Sequence, residues 1–130
     1  MLNLTLPPPT EDQEQIDLVN WARMQEKKYP ELRMLFHIPN GGSRGKAEAG
    51  RFRAMGVRAG VPDLCLPVPR GGWHGLYIEL KRTKGGRVSA DQKAWLDALR
   101  EQGYAAAVCH GWEDAARIIL WYIREGMPER

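Results

Sequence analysis

Two stretches decide how this chain folds: Pro62-Asp63-Leu64-Cys65-Leu66-Pro67-Val68 and Leu76-Tyr77-Ile78-Glu79-Leu80-Lys81-Arg82. Each is short and apolar and is bounded by proline or glycine, so the spacing predicts strands from Asp63 to Val68 and from Leu76 to Arg82. Gly71-Gly72 turns the chain between them, close enough for a hairpin. Glu79 and Lys81 lie two apart and therefore share one face of their strand. A hairpin brings Asp63 beside that pair. Leu76, Tyr77, Ile78 and Leu80 mark the strand as central, where charges need a reason. Two carboxylates meeting at one point form a hard oxygen site suited to Mg²⁺ or Mn²⁺. A neighbouring lysine can orient or deprotonate a water, or steady charge on a phosphate. Glu-x-Lys alone is usually a surface pair, and Pro-Asp alone is a common turn. Their combination on two paired strands is far more specific.

Outward from the hairpin, the rest of the fold class follows. Pro7-Pro8-Pro9 makes a stiff, extended lead-in over residues 1–10. Thr10 reads as an N-cap, with Gln13 three residues on as in a capping box. A helix is expected from Glu11 to Lys28, with Ile16, Leu18, Val19, Trp21 and Ala22 as its apolar arc, ended by Tyr29-Pro30. Leu32 to Ile38 reads as a strand before the turn Pro39-Asn40-Gly41-Gly42, and Lys46 to Met55 as a short helix stopped by Gly56. Ser89 caps a helix from Ala90 to Gln102, with Gly103 just past its end. Tyr104 to His110 is a fourth strand, rich in small residues. Trp112 to Glu125 is a helix, apolar at 112, 115, 116, 119, 120 and 123. A helix between the last two strands favours a parallel crossover. The expected class is α/β, a mixed four-stranded sheet flanked by helices, in one domain over residues 11–130. Ile118, Trp121 and Tyr122 form a second apolar stripe on the last helix, with no evident use inside one chain.

Composition narrows the function classes. A chain of 130 residues suits one domain. Two cysteines, Cys65 and Cys109, are too few for a disulfide scaffold, and with His37, His74 and His110 they show no zinc spacing. Both fall on expected strands and read as core residues. The longest apolar run, Ile118 to Ile123, is too short to span a membrane, so no membrane partner is expected. Met1 to Thr10 lacks a basic region and a small-residue cleavage site, so no secretory signal is expected and a cytoplasmic setting is the default. The charge is unevenly spread. Residues 40–93 carry eleven Lys/Arg against four Asp/Glu, whereas each flank is net acidic. Such a block suits a solvated basic face or a polyanionic partner such as nucleic acid.

The motifs resemble a known family. Pro62-Asp63 followed by Glu79-Leu80-Lys81 is similar to the PD-(D/E)xK nuclease signature. The flanking text, Gly56-Val57-Arg58-Ala59-Gly60-Val61-Pro62-Asp63-Leu64, Ser89-x-x-Gln92 and His37-Ile38-Pro39-Asn40-Gly41-Gly42, resembles its VRR-NUC branch, in the stand-alone form common in phages and bacteria. The resemblance implies an αβββαβ core, a divalent metal and phosphodiester hydrolysis, here read as a DNA endonuclease; the alternative readings are a non-catalytic nucleic-acid-binding protein on the same fold, or a nuclease acting on RNA or other DNA structures. It implies that Asp63 and Glu79 hold Mg²⁺ or Mn²⁺, that Lys81 serves the water and that Gln92 belongs to the site. Ser89 to Gln92 is also a plain capping box. The family carries an acid on its first helix. Glu14 takes that role here, as a catalytic and metal-holding residue, with Glu11 as its rival. Arg44, Lys46, Arg51, Arg53, Lys84 and Asn40 are candidate contacts to nucleic acid, and His37 is a further candidate for phosphate. No base-reading module is visible, so selectivity is expected for DNA shape. Stand-alone members resemble Holliday junction resolvases. That likeness implies branched DNA as substrate and a homodimer as the working form.

Overall fold

In the computed structural model, the described residues are 6–39 and 45–126. The prolines before Thr10 are exposed and lie outside any helix or strand. The Thr10 hydroxyl accepts the Gln13 amide N–H at 3.1 Å, which starts α1 (Glu11–Gln25). Only the Thr10 half of the capping box forms, and the Gln13 side-chain nitrogen donates to Asp17 at 2.9 Å. Leu18 and Ala22 are buried, with Val19 and Trp21 packed at the edge of the core. Ile16 departs from the expected arc and is exposed, while Glu14 is buried. The helix needs only a narrow face to cover the sheet, and Ile16 falls outside it.

The next segment corrects the sequence reading. Leu32 to Ile38 is not one strand. Pro30–Met34 forms a 3-10 turn, and the strand β1 is only Phe36–His37. Pro30 occupies the first helical position, where its fixed φ suits a helical turn. Leu32 then points into the core at 2% exposure. The chain continues through α2 (Lys46–Ala54), which buries no residue, to β2 (Leu64–Leu66) and β3 (Leu76–Lys81). Pro62 and Pro67 lack the N–H a ladder needs, which keeps β2 shorter than expected. Ser89 and Gln92 close a full capping box at the start of α3 (Ala90–Glu101). β4 (Ala105–His110) and α4 (Trp112–Glu125) complete the chain.

The sheet order is β1-β2-β3-β4, with β1–β2 and β2–β3 antiparallel and β3–β4 parallel. This is the mixed four-stranded sheet flanked by helices that the element order predicts. Leu64, Leu66, Leu76, Ile78 and Leu80 join Leu18, Ala22, Ile119 and Tyr122 in one core beneath α1 and α4. Period-two alternation sends Tyr77, Glu79 and Lys81 to the other face, where α3 lies. Cys65 and Cys109 are free and buried, and burial raises both thiols above their ordinary value. Among the described residues no helix is long and apolar enough to cross a membrane.

The second stripe on α4 also needs correction. Tyr122 is fully buried, and its hydroxyl donates to the Val68 carbonyl. Ile118 packs against the core, and only Trp121 remains exposed. The stripe is used inside the chain because the hairpin loop after β2 wraps under the helix. Arg70 donates there to the Ile123 carbonyl at 3.1 Å.

Candidate active site

The β2–β3 ladder sets Leu64 opposite Ile78 and Cys65 opposite Tyr77. The same register carried one residue further sets Asp63 opposite Glu79. The Asp63 Oδ2 accepts the Leu80 amide N–H at 2.7 Å, which fixes the carboxylate against β3. Glu79 and Lys81 are 1% and 5% exposed, and the Lys81 Nζ stands 3.7 Å from the Glu79 Oε2. That same oxygen accepts from the Gln92 Nε2 at 3.4 Å, while the Gln92 Oε1 accepts from the Ser89 amide at 2.9 Å. The cap and the site are therefore not alternatives for Gln92. Its amide has two ends, and each takes one task.

Two glycines let the chain pack closely around this site. A Cβ on Gly86 would lie 2.9 Å from the Lys81 Cβ, so the loop after β3 packs against the lysine stem. Gly60 has φ +91°, and a Cβ there would strike the Asp91 backbone. Glycine at 60 thus lets the Pro62-Asp63 approach pass over the first turn of α3.

Electrostatics single out Glu79. Its carboxyl is raised to about 8, first by burial, then by the Asp63 carboxyl, with Lys81 acting in the opposite sense and Glu11 adding slightly. Its Oε1 is buried and has no hydrogen-bond partner among the described residues. An acceptor left bare beside a second carboxylate is a poor structural solution and a good cation ligand. No group of three or more His, Cys, Asp or Glu among the described residues is arranged for an ion. Asp63 and Glu79 fit Mg²⁺ or Mn²⁺ as a two-carboxylate set, since Mg²⁺ keeps several waters.

The remaining candidates scatter. The structure places Glu14, 3% exposed, at the start of α4, where its Oε1 accepts the Trp112 amide N–H at 3.1 Å. Its Oε2 lies against Gly111, where a Cβ would come within 3.4 Å. Of the first-helix acids, Glu11 is the one whose charge acts on Glu79. Lys46, Arg51, Arg53 and Lys84 are exposed, the first three on α2. Asn40 and Arg44 lie outside the described residues. The His37 Nδ1 is 2.8 Å from the Asp63 main-chain carbonyl. Sequence reading missed that bond, as it missed the Leu80 amide, because each depends on strand register across 17 or more residues.

The family model for the VRR-NUC domain matches residues 10–113, which include Asp63, Glu79, Lys81 and Gln92. The chain belongs to the VRR-NUC family. A solved structure described as a VRR_NUC domain protein is similar to it, with a TM-score of 0.81 and 33% identity, over 96% of this chain and 100% of that one. No curated protein matches the chain. VRR-NUC domains are a nuclease family, and the fold described above is of that nuclease type.

Proposed function

We propose that this VRR-NUC chain is a divalent-metal-dependent DNA endonuclease that hydrolyses phosphodiester bonds. The observation that carries the reading is the facing pair Asp63 and Glu79, with the bare Oε1 of Glu79 buried beside Lys81. Asp63 and Glu79 would hold Mg²⁺ or Mn²⁺. When bound, the ion would lower the pKa of a water and polarise a phosphoryl oxygen. The chain's own groups do the rest. The Leu80 amide fixes Asp63, and the Gln92 amide orients Glu79. The Lys81 ammonium orients the attacking water and offsets charge growing on the phosphate. Glu14 caps α4, and Glu11 is the first-helix acid whose charge reaches Glu79. Lys46, Arg51, Arg53 and Lys84, with Asn40 and Arg44, bind backbone phosphates without reading bases.

Branched DNA is the proposed substrate class. One metal site cuts one strand at a time, and a four-way junction is two-fold symmetric. A C2 homodimer would supply the two matched cuts.

The test is a cleavage panel of labelled junction, flap, nicked and linear duplexes, with RNA counterparts, in EDTA, Mg²⁺ and Mn²⁺. Cleavage should vanish in EDTA, return with either ion and be fastest on junctions, with a dimer in sedimentation. Undiminished cleavage in EDTA overturns the metal mechanism. Equal rates on linear duplex, or a strict monomer, overturn the junction reading.

A further inference from the structure

We infer that His37 is a positioning residue for Asp63, holding it through its main-chain carbonyl. The inference rests on the proposed role of Asp63 at the metal. Asp63 precedes β2, outside the paired positions of that three-residue strand. Its carbonyl accepts two hydrogen bonds from consecutive residues, from the Ile38 amide at 2.7 Å and from the His37 Nδ1 at 2.8 Å. A carbonyl oxygen only accepts, so Nδ1 carries the proton in this arrangement. The histidine is exposed.

The carboxylate of the same residue is tied separately, by the Leu80 amide at Oδ2. Asp63 is thus held at both ends, from the β1 side through its backbone and by β3 through its side chain. A metal-holding carboxylate must stay within about 0.5 Å of its working position. The carbonyl bonds set the Asp63 backbone torsion, and with it the direction in which Cβ leaves the chain. β1 is only two residues long, so its ladder alone is a weak anchor. The histidine adds a second tie where the ladder ends. Groups that orient a metal ligand, when removed, commonly cost about 10- to 100-fold in metal affinity or activity.

The geometry allows a test within one position. The Asn side-chain nitrogen sits where the His Nδ1 sits, and the Gln nitrogen sits nearer to Nε2. His37→Ala, His37→Asn and His37→Gln are compared for kcat and KM on cleaved DNA, for Mn²⁺ affinity by paramagnetic resonance titration, and for thermal midpoint. His37→Ala should lower kcat and Mn²⁺ affinity about tenfold, with KM and the midpoint near wild type. His37→Asn should restore both, and His37→Gln should not. Wild-type kcat and Mn²⁺ affinity in His37→Ala overturn the inference. So does failure of Asn to restore them, or rescue by Gln with the change in KM, which would make Nε2 a substrate contact. Asp63→Asn runs alongside. If it still binds Mn²⁺ and cleaves, the reading of the site fails and this inference with it. If it loses both while His37→Ala is normal, only the inference about His37 fails.

Discussion

Lys81 and Glu79 show how one buried contact separates chemistry from binding. The Lys81 ammonium lies inside the site at 3.7 Å from Glu79, whereas the basic residues of α2 are exposed. Lys81→Ala should therefore lower cleavage by about 10²-fold or more, with DNA affinity little changed in a filter-binding or anisotropy titration. Glu79 predicts a pH effect in the metal-free protein. Its carboxyl has an ordinary value of 4.5 and is raised to about 8 in the fold. Between those values the folded chain keeps a proton that the unfolded chain has released, so stability falls as pH rises. The contribution is full below the ordinary value and lost by the folded one. Thermal midpoints of metal-free wild type should drop relative to Glu79→Gln from about pH 5 to about pH 8. Mg²⁺ should oppose that drop, because it prefers the deprotonated carboxylate.

Helix α4 begins at Gly111, which has no side chain to cap it. The missing acceptor comes from Glu14 on α1, 98 residues away in sequence. Gly111 also donates its amide to the Lys81 carbonyl at 2.8 Å, so the same junction ties α1, α4 and the end of β3. Loss of such a cap typically costs about 1–2 kcal/mol. Glu14→Ala should lower the unfolding free energy by about that amount in urea titration. Glu14→Gln keeps a carbonyl oxygen for the Trp112 amide and should hold both stability and cleavage close to wild type. Glu11→Gln should cost more cleavage than Glu14→Gln. The reverse order would place Glu14 at the metal.

Charge across the fold has its own consequence. The basic block of residues 40–93 is not one patch on one element, since Lys81 is buried in the site while Lys46, Arg51 and Arg53 stand on α2. α2 has no buried residue and carries its charges outward, which is the placement the proposed phosphate contacts need. Each phosphate that is no longer neutralised should remove about 0.9 from the slope of log K against log salt. Arg51→Ala with Arg53→Ala should weaken DNA binding and flatten that slope by about two, with the thermal midpoint unchanged. An unchanged slope would turn α2 away from the nucleic acid.

Local chemistry was enough to write down most of the architecture. The Pro62 and Gly71-Gly72 breaks, the alternation through β3, the cap at Ser89 and the apolar period of α4 each act over a few residues, so they are legible in the chain. Asp63, Glu79 and Lys81 were legible for the same reason, as two strands and one period of two. Leu32 misled because a buried leucine serves a 3-10 turn as well as a strand, and only its packing beneath α1 distinguishes them. Ile118, Trp121 and Tyr122 misled because a helix buried on two sides has the same pattern as one with a free face. Which side is covered depends on where the hairpin loop lands. The capping of α4 by Glu14 and the grip of His37 on Asp63 lie furthest from sequence reading. Each is a hydrogen bond whose partner is chosen by register and helix docking, and neither leaves a mark in the spacing of residue types.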